Sequence, residues 1–400
     1  MTIIKTGDKT VKIRSIVSAV FALGAVPASA QSSVTLYGVV DTNVEYVNRV
    51  GSVPLPTNFY NSGLGHSVVR MNSGGVAGSR WGLRGEEDLG GGMKSLFVLE
   101  GGFQADTGAL EMPSTLFDRQ AYVGLRSNSF GQLTFGRQYT SLFLGLANFM
   151  PASYAVQYEP IAVIAGPNFR ENNTVQYAAA AGPVTAIAHW SFGVGLSLPP
   201  TSPFAQQVMV GGNGEMPGRF RADTGYGAAL IYMPGAFGFT VDYDQYNPSI
   251  AQGSGTNKRA AVAASYTFDG KAKVMGGYRW GQNKDQNGLT VLRDDYYWLG
   301  ANYQWTPVVE LTLEYDYENV RRLNGNAAVA NPWQLIFMAR YSLSKRTDLY
   351  LSTAYARNAG LMLESSASGY GASLFLNNSY APGVGQTSMI GVAAGVRHIF

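Results

Sequence analysis

The side chains able to do chemistry are few and scattered. The three histidines, His66, His189 and His398, lie far apart, and none stands in a recognisable nucleophile motif with a serine or a carboxylate. His398 shares the parity of Phe400, which suits an interface residue better than a base. Cysteine is absent, which excludes thiol catalysis, thiolate metal sites and disulfides. Gly90, Gly91 and Gly92 lack the Lys-Ser/Thr of a phosphate loop and read as a turn. Glu310, Glu314 and Glu318 form a one-sided stripe rather than a matched acid–base pair. The residues therefore point to no enzyme, no metal centre and no cofactor.

The elements that must carry these residues are strands. From Val34 the chain alternates, with Val34, Leu36, Gly38 and Val40 on one side and Thr35, Tyr37, Val39, Asp41 and Asn43 on the other. Phe237-Gly-Phe-Thr-Val-Asp-Tyr-Asp244 and Leu311-Thr-Leu-Glu-Tyr-Asp-Tyr-Glu318 repeat the pattern with sharper contrast. Period two means a strand with two unlike faces. Short turn-like breaks fall at 86–92, 127–131, 180–183, 234–237, 268–271, 305–307 and 343–347, and longer Gly-, Asn-, Pro- and Ser-rich stretches lie between the hairpins. Seven hairpins plus one strand at each end predict sixteen strands. An even count with short turns at one rim and long loops at the other is the layout of a transmembrane β-barrel. Hydrocarbon leaves no backbone group to water, so a sheet survives there only if it closes without an edge. The terminal run Met389–Phe400 predicts the closing strand, with Ile390, Val392, Ala394 and Val396 facing outward and Phe400 at the interface.

The opening thirty residues have a basic start (Lys5, Lys9, Lys12, Arg14), an apolar middle and the triplet Ala28-Ser29-Ala30. That pattern predicts a secretory signal cleaved before Gln31, leaving residues 31–400 as one barrel domain. The signal takes four Lys/Arg and one Asp from totals of 29 and 26, so the mature chain is neutral. Neutrality, with no basic run, gives no reason to expect a nucleic-acid partner. With 49 glycines, 24 tyrosines, 19 phenylalanines and 14% charged residues, the composition favours turns and aromatic belts. No run reaches the ~18 apolar residues of a membrane helix, so any crossing is by strands.

Six strings resemble the Gram-negative general porins of the neisserial and burkholderial type. They are Ser33-Val-Thr-Leu-Tyr-Gly38, Ser79-Arg-Trp-Gly-Leu-Arg-Gly-Glu-Glu-Asp-Leu-Gly90, Leu96-Phe-Val-Leu-Glu100, Phe135-Gly-Arg-Gln-Tyr-Thr140, Phe169-Arg-Glu-Asn-Asn-Thr-Val-Gln-Tyr177 and Gly395-Val-Arg-His-Ile-Phe400. Each is weakly specific, but their order, spacing and terminal phenylalanine span the mature chain. The resemblance implies an outer-membrane channel for passive diffusion of ions and small hydrophilic solutes. It also implies a homotrimer, contact with outer-membrane lipid and lipopolysaccharide, and a third long loop folded inward. A substrate-selective channel is the alternative. Tyr37 and Tyr122 are the only aromatics expected inside, too few for a ladder on which sugars slide.

By motif, Arg80, Arg137 and Arg170 correspond to the basic side of the constriction, with the loop spanning about 139–169. Glu159 is the best carboxylate to face them and Glu171 a poorer one. Two departures bear on the field: Val39 stands where enterobacterial relatives carry a basic residue, and the loop has one carboxylate where theirs has several. Parity puts Arg80, Arg84 and Glu86 inside. It puts Arg137 outside with Leu133 and Phe135, unless a bend near Gly136 resets the alternation. Three arginines against one carboxylate favour anions, whereas Asp41, Glu45, Glu100, Asp242, Asp244 and the stripe containing Glu314 also face the lumen and favour cations.

Overall fold

The computed structural model describes residues 33–51, 63–166, 168–195, 214–215, 217–250, 253–285, 287–323, 325–365, 380 and 382–400. The signal sequence expected over residues 1–30 lies outside the described residues.

Among them, sixteen antiparallel strands form one closed sheet. In chain order these are β1 Ser33–Val50, β2 in two pieces, His66–Ser73 and Arg80–Gly90, β3 Met93–Gly102, β4 Gln120–Ser127, β5 Gly131–Tyr139 and β6 Arg170–Ala181. They continue with β7 Val184–Ser191, β8 Gly225–Tyr232, β9 Phe237–Tyr246, β10 Thr256–Phe268 and β11 Ala272–Lys284. The last five are β12 Thr290–Thr306, β13 Val309–Leu323, β14 Trp333–Ser342, β15 Thr347–Arg357 and β16 Ser388–Ile399. The seven hairpin turns expected from sequence are all present. Closure runs from Val39 opposite Ile399 to Val47 opposite Gly391, and Gly38 and Phe400 exchange both backbone hydrogen bonds at 3.1 Å.

The outer face is apolar because alternation sends one residue in two to lipid: Val44, Leu313 and Leu349 are exposed while Asn43, Glu314 and Asp348 point inward. Aromatic side chains gather at both ends of the strands. Phe130, Phe268, Tyr303, Trp305, Tyr341 and Phe400 sit beside the short turns, and toward the other rim two runs of touching rings form, Tyr278, Tyr297 and Tyr317 in one and Tyr315, Trp333 and Tyr355 in the other. Amphipathic rings favour such boundaries between apolar and wet surroundings.

The break in β2 is built by Asp41. Its carboxylate accepts from the backbone N–H groups of Gly75, Val76 and Ala77 at 2.8–3.1 Å and from the Tyr350 hydroxyl. Asp41 does face inward, but it is wholly buried as a structural clamp.

The loop between β5 and β6 enters the barrel. It contains α1 Ser141–Leu146, a 3-10 turn Ala147–Phe149 and α2 Ile161–Ala165, and Thr140 caps α1 by accepting from Phe143 N. Leu142, Leu146, Phe149, Met150, Ile161 and Ile164 pack against Ile187, Ile231, Ala261, Ala263, Tyr296 and Trp298 of the wall. Further along, Ala152, Ala155 and Tyr158 pack against Ile336, Tyr350 and Met389. Each buried Leu, Ile, Phe or Met of the loop stabilises its docking by about 1.5–3 kcal/mol. Directional bonds fix its register: Trp298 Nε1 donates to Phe149 O at 2.8 Å and Asn302 Nδ2 to Pro151 O at 2.8 Å. At its far end Tyr158 donates to Glu45 Oε1 at 2.9 Å. Gly145 permits the closest approach, since a Cβ there would lie 1.8 Å from Asp242 Oδ1.

Candidate functional site

The loop fills the side of the lumen facing β7–β16 and leaves a gap against the wall from β2 to β6. This cavity of about 360 Å3 is lined by Arg80, Glu100, Glu111, Arg119 and Arg170 together with Tyr139, Phe143, Leu144, Tyr154 and Val156. Arg80, on the second piece of β2, points inward as its parity predicts. Its Nε lies 3.7 Å from Glu100 Oε2, and its Nη1 donates to Gly78 O at 3.1 Å. Arg119 is committed on three sides, donating to Glu100 at 2.9 Å, Glu111 at 3.1 Å and the Tyr139 hydroxyl at 3.1 Å. Arg170 stacks over the rings of Tyr139 and Phe169, with its guanidinium carbon 5.2 and 4.8 Å from their centres. Enclosure by itself raises the Glu111 carboxyl, but Arg119 and then Arg170 outweigh it and hold that group below its ordinary range.

The other residues singled out from sequence fall elsewhere. Arg137 does turn inward. Gly136 has φ 131° and the register shifts between Gly136 and Gln138, so a bulge resets the alternation. A Cβ at Gly136 would lie 2.2 Å from Ala121 O, which keeps that position a glycine. Arg137 nevertheless does not line the gap. It is buried in the wall, donating to Asp118 O at 2.5 Å and Asn172 Oδ1 at 2.7 Å.

Glu159 requires a correction, because it does not face the arginines. It is fully buried between loop and wall, accepting from Ala152 N at 3.3 Å and Ala155 N at 3.0 Å, and Glu314 accepts from the same Ala152 N–H at 3.1 Å. Burial, with Asp316 beside it, pushes the Glu159 carboxyl up to about 8. The carboxylates that do oppose the arginines are Glu100, from the wall, and Glu111, from the loop before β4.

The expected cation-favouring lumen charges are corrected in the same way. Asp41, Glu45, Asp242, Asp244 and Glu314 point inward but lie beneath the loop or in wall contacts at 2% exposure or less, so they do not meet pore water. Arg84 and Glu86 line a separate opening toward the short turns with Thr35, Tyr122 and Arg126. Tyr37 points inward and donates to Glu100 Oε2 at 3.0 Å.

Sequence reading missed two charged members of the gap. Arg119 has the parity of Val123 and Leu125, which face lipid, but β4 begins only at Gln120, so alternation does not govern it. Glu111 lies in a loop without periodicity. A buried cluster was also invisible: His189 Nδ1 lies 2.7 Å from Ser141 Oγ and accepts from Ser141 N at 3.1 Å, while its Nε2 lies 3.3 Å from Glu171 Oε2 and 3.8 Å from Asp244 Oδ2. A hydroxyl, an imidazole and an acid in line resemble a nucleophile relay. Here Ser141 and Glu171 are wholly buried and no acyl group could approach, so the cluster pins α1 to β7 and to the start of β6.

A closed sixteen-stranded membrane barrel, narrowed by an inward loop and lined by charges at the narrowing, is the architecture of a diffusion channel. The chain belongs to the Gram-negative porin family, whose model matches residues 17–361. It is 29% identical over 373 residues to an outer membrane porin protein of Bordetella pertussis, covering 86% of this chain and 94% of that one. It is also 29% identical over 382 residues to outer membrane porin protein 32 of Delftia acidovorans, covering 93% and 95%. Among solved structures it resembles the anion-selective porin from Comamonas acidovorans, with a TM-score of 0.69 and 26% identity over 92% of this chain and all of that one. The protein is an outer-membrane porin that forms a water-filled channel for passive diffusion, and the family and fold point to a channel rather than an enzyme.

Proposed function

We propose that the gap lined by Arg80, Arg119 and Arg170 is the constriction that sets ion preference, and that it favours anions. The observation that carries this reading is the charge count in one narrow space, three guanidinium groups against the carboxylates of Glu100 and Glu111. Charged rings at the narrowest point govern selectivity. Screening acts over about 8 Å at physiological ionic strength, so charges lining a gap outweigh the neutral average of the chain. The structurally similar Comamonas acidovorans porin is anion-selective, which supports the same sign.

The test is the reversal potential across a planar bilayer in a salt gradient. Arg80→Ser, Arg119→Ser and Arg170→Ser are expected to move it toward cation preference, whereas Glu314→Gln leaves it in place because Glu314 does not meet the pore. Unmoved potentials in all three arginine variants would refute the assignment.

The physiological unit in this proposal is a homotrimer set in outer-membrane lipid and lipopolysaccharide. Support comes from a solved neighbour, the OmpT of Vibrio cholerae, which has been solved in a trimer form. Mass measurement in mild detergent that returned only monomer would remove the trimer.

A further inference from the structure

The two sides of the gap differ in kind. One carries Arg80, Arg119 and Arg170, and the other presents Phe143, Leu144, Tyr154 and Val156 of the loop. The rings are ordered. Tyr139 and Phe143 lie 4.4 Å apart and 7° from parallel, and Phe143 and Tyr154 lie 4.2 Å apart and 13° from parallel. This stack is tied to the charged side, because Arg170 covers Tyr139 and Arg119 donates to the Tyr139 hydroxyl. Tyr154 is held in turn by its hydroxyl, which donates to Phe143 O at 2.8 Å. Rings and guanidinium groups are thus in place before any solute arrives, which reduces the ordering cost of binding.

An inorganic anion would use only the arginine side. A neutral sugar stacks on the rings but brings no charge to the arginines. A solute with one flat apolar ring and one carboxylate engages both sides at once. Resting on the constriction reading above, we infer that the gap holds a subsite for aromatic monocarboxylates, with the carboxylate against Arg80 and Arg170 and the ring on the Tyr154 end of the aromatic stack. The volume of about 360 Å3 lies near the lower limit of small-molecule sites, which suits a single ring. The surplus of one positive charge over Glu100 and Glu111 suits a single negative charge. Affinity has to stay low, since conduction needs release as well as entry.

The experiment uses the mature protein in planar bilayers carrying chloride current, with benzoate, acetate or benzyl alcohol added. Benzoate is expected to reduce the current at concentrations about three- to tenfold lower than either of the others, the size of effect that one aromatic contact supplies. Tyr154→Leu should bring benzoate to the level of acetate, and Tyr154→Phe, which keeps the ring, should retain the preference. Equal block by benzoate and acetate in the wild-type channel overturns the subsite, as does an undiminished preference in Tyr154→Leu. Should Tyr154→Leu fail to assemble, the three solutes on the wild-type protein still decide, because acetate isolates the charge and benzyl alcohol the ring. Arg80→Ser separates the two levels of inference. A reversal potential that shifts in Arg80→Ser while benzoate and acetate block the wild-type channel equally removes the subsite alone, whereas one that stays fixed in Arg80→Ser, Arg119→Ser and Arg170→Ser alike removes the constriction reading beneath it.

Discussion

The wall from β2 to β6 and the wall from β7 to β16 begin from the same sequence rule and end in opposite states. On both, alternation sends polar and charged residues inward. Along the first they border the gap, where Arg80 keeps a quarter of its side chain exposed while Glu100, Arg119 and Arg170 are buried at its edge. Along the second the inward loop covers them, and they are held by opposite charges or by neutral hydrogen-bond donors. Arg279 Nη2 lies 2.6 Å from Asp294 Oδ2, and Asp316 accepts from the Tyr296 hydroxyl. A buried charge is tolerated when paired and costly when its partner is removed. An inward-facing charge therefore acts on permeation only where nothing lies over it, and elsewhere it holds the loop down.

The largest expected effect breaks the covered side. Ile164 is fully buried among Leu142, Phe149 and Trp298. Ile164→Ala should cost about 2–5 kcal/mol of packing, loosen the loop and raise single-channel conductance. A conductance and thermal midpoint equal to wild type would show that the apolar cluster does not hold the loop. Next in size is the outer face: Leu313, half exposed to lipid, should lose about 2–4 kcal/mol on replacement by Arg near the midplane, read as folding yield into lipid. Inward parity does not make its neighbour tolerant. Thr312 is 5% exposed and accepts from Asn302 Nδ2 at 2.8 Å, so Thr312→Arg should also impair folding. A yield for Thr312→Arg equal to wild type would mean that the covered wall is looser than its contacts imply.

A smaller effect sharpens the contrast in charge. Asp242→Asn, beneath α1, and Glu100→Gln, in the gap, each remove one inward carboxylate. Only the second should move the reversal potential, toward anions, and equal shifts would erase the distinction between the walls. That distinction also marks where sequence stopped being informative. Alternation and turn spacing made strand count, facing and closure legible, because they depend on residues near in sequence. Cover depends on a segment arriving from elsewhere, so Asp41, Asp242 and Glu314 read as pore charges although the loop or the β2 break hides them. Glu159 was misplaced for the same reason. A loop residue has no parity, and its partner Glu314 lies 155 positions away. Arg137 was recoverable only as a conditional, since Gly136 hints at a bulge without requiring one.

The smallest effect follows from that misplaced carboxyl. Glu159, Glu314 and Asp316 share one dry space with the Tyr296 hydroxyl, which donates to Asp316, and the amides of Ala152 and Ala155 do not offset burial. With the Glu159 carboxyl raised from its ordinary 4.5 to about 8, the docked loop holds this proton more tightly than a released loop does. Between those values the released state has lost its proton while the docked state keeps it, so raising pH favours release. Docking strength is full below about 4.5, declines as pH rises toward 8, and is flat beyond. Channel current noise and thermal stability should follow that course: noise rising and midpoint falling between pH 5 and 8, both reversibly. Glu159→Gln places a permanently neutral amide of nearly the same shape there and should flatten the loop's share of the dependence, leaving only what Glu314 and Asp316 contribute. Glu111, the carboxyl that the loop before β4 brings to the arginine-lined gap, is instead held below its ordinary range and stays charged, so the reversal potential should hold steady over the same range. If it drifts together with the noise, the two sides of the lumen are not independent; if Glu159→Gln titrates like wild type, the proton that matters to docking is not on Glu159.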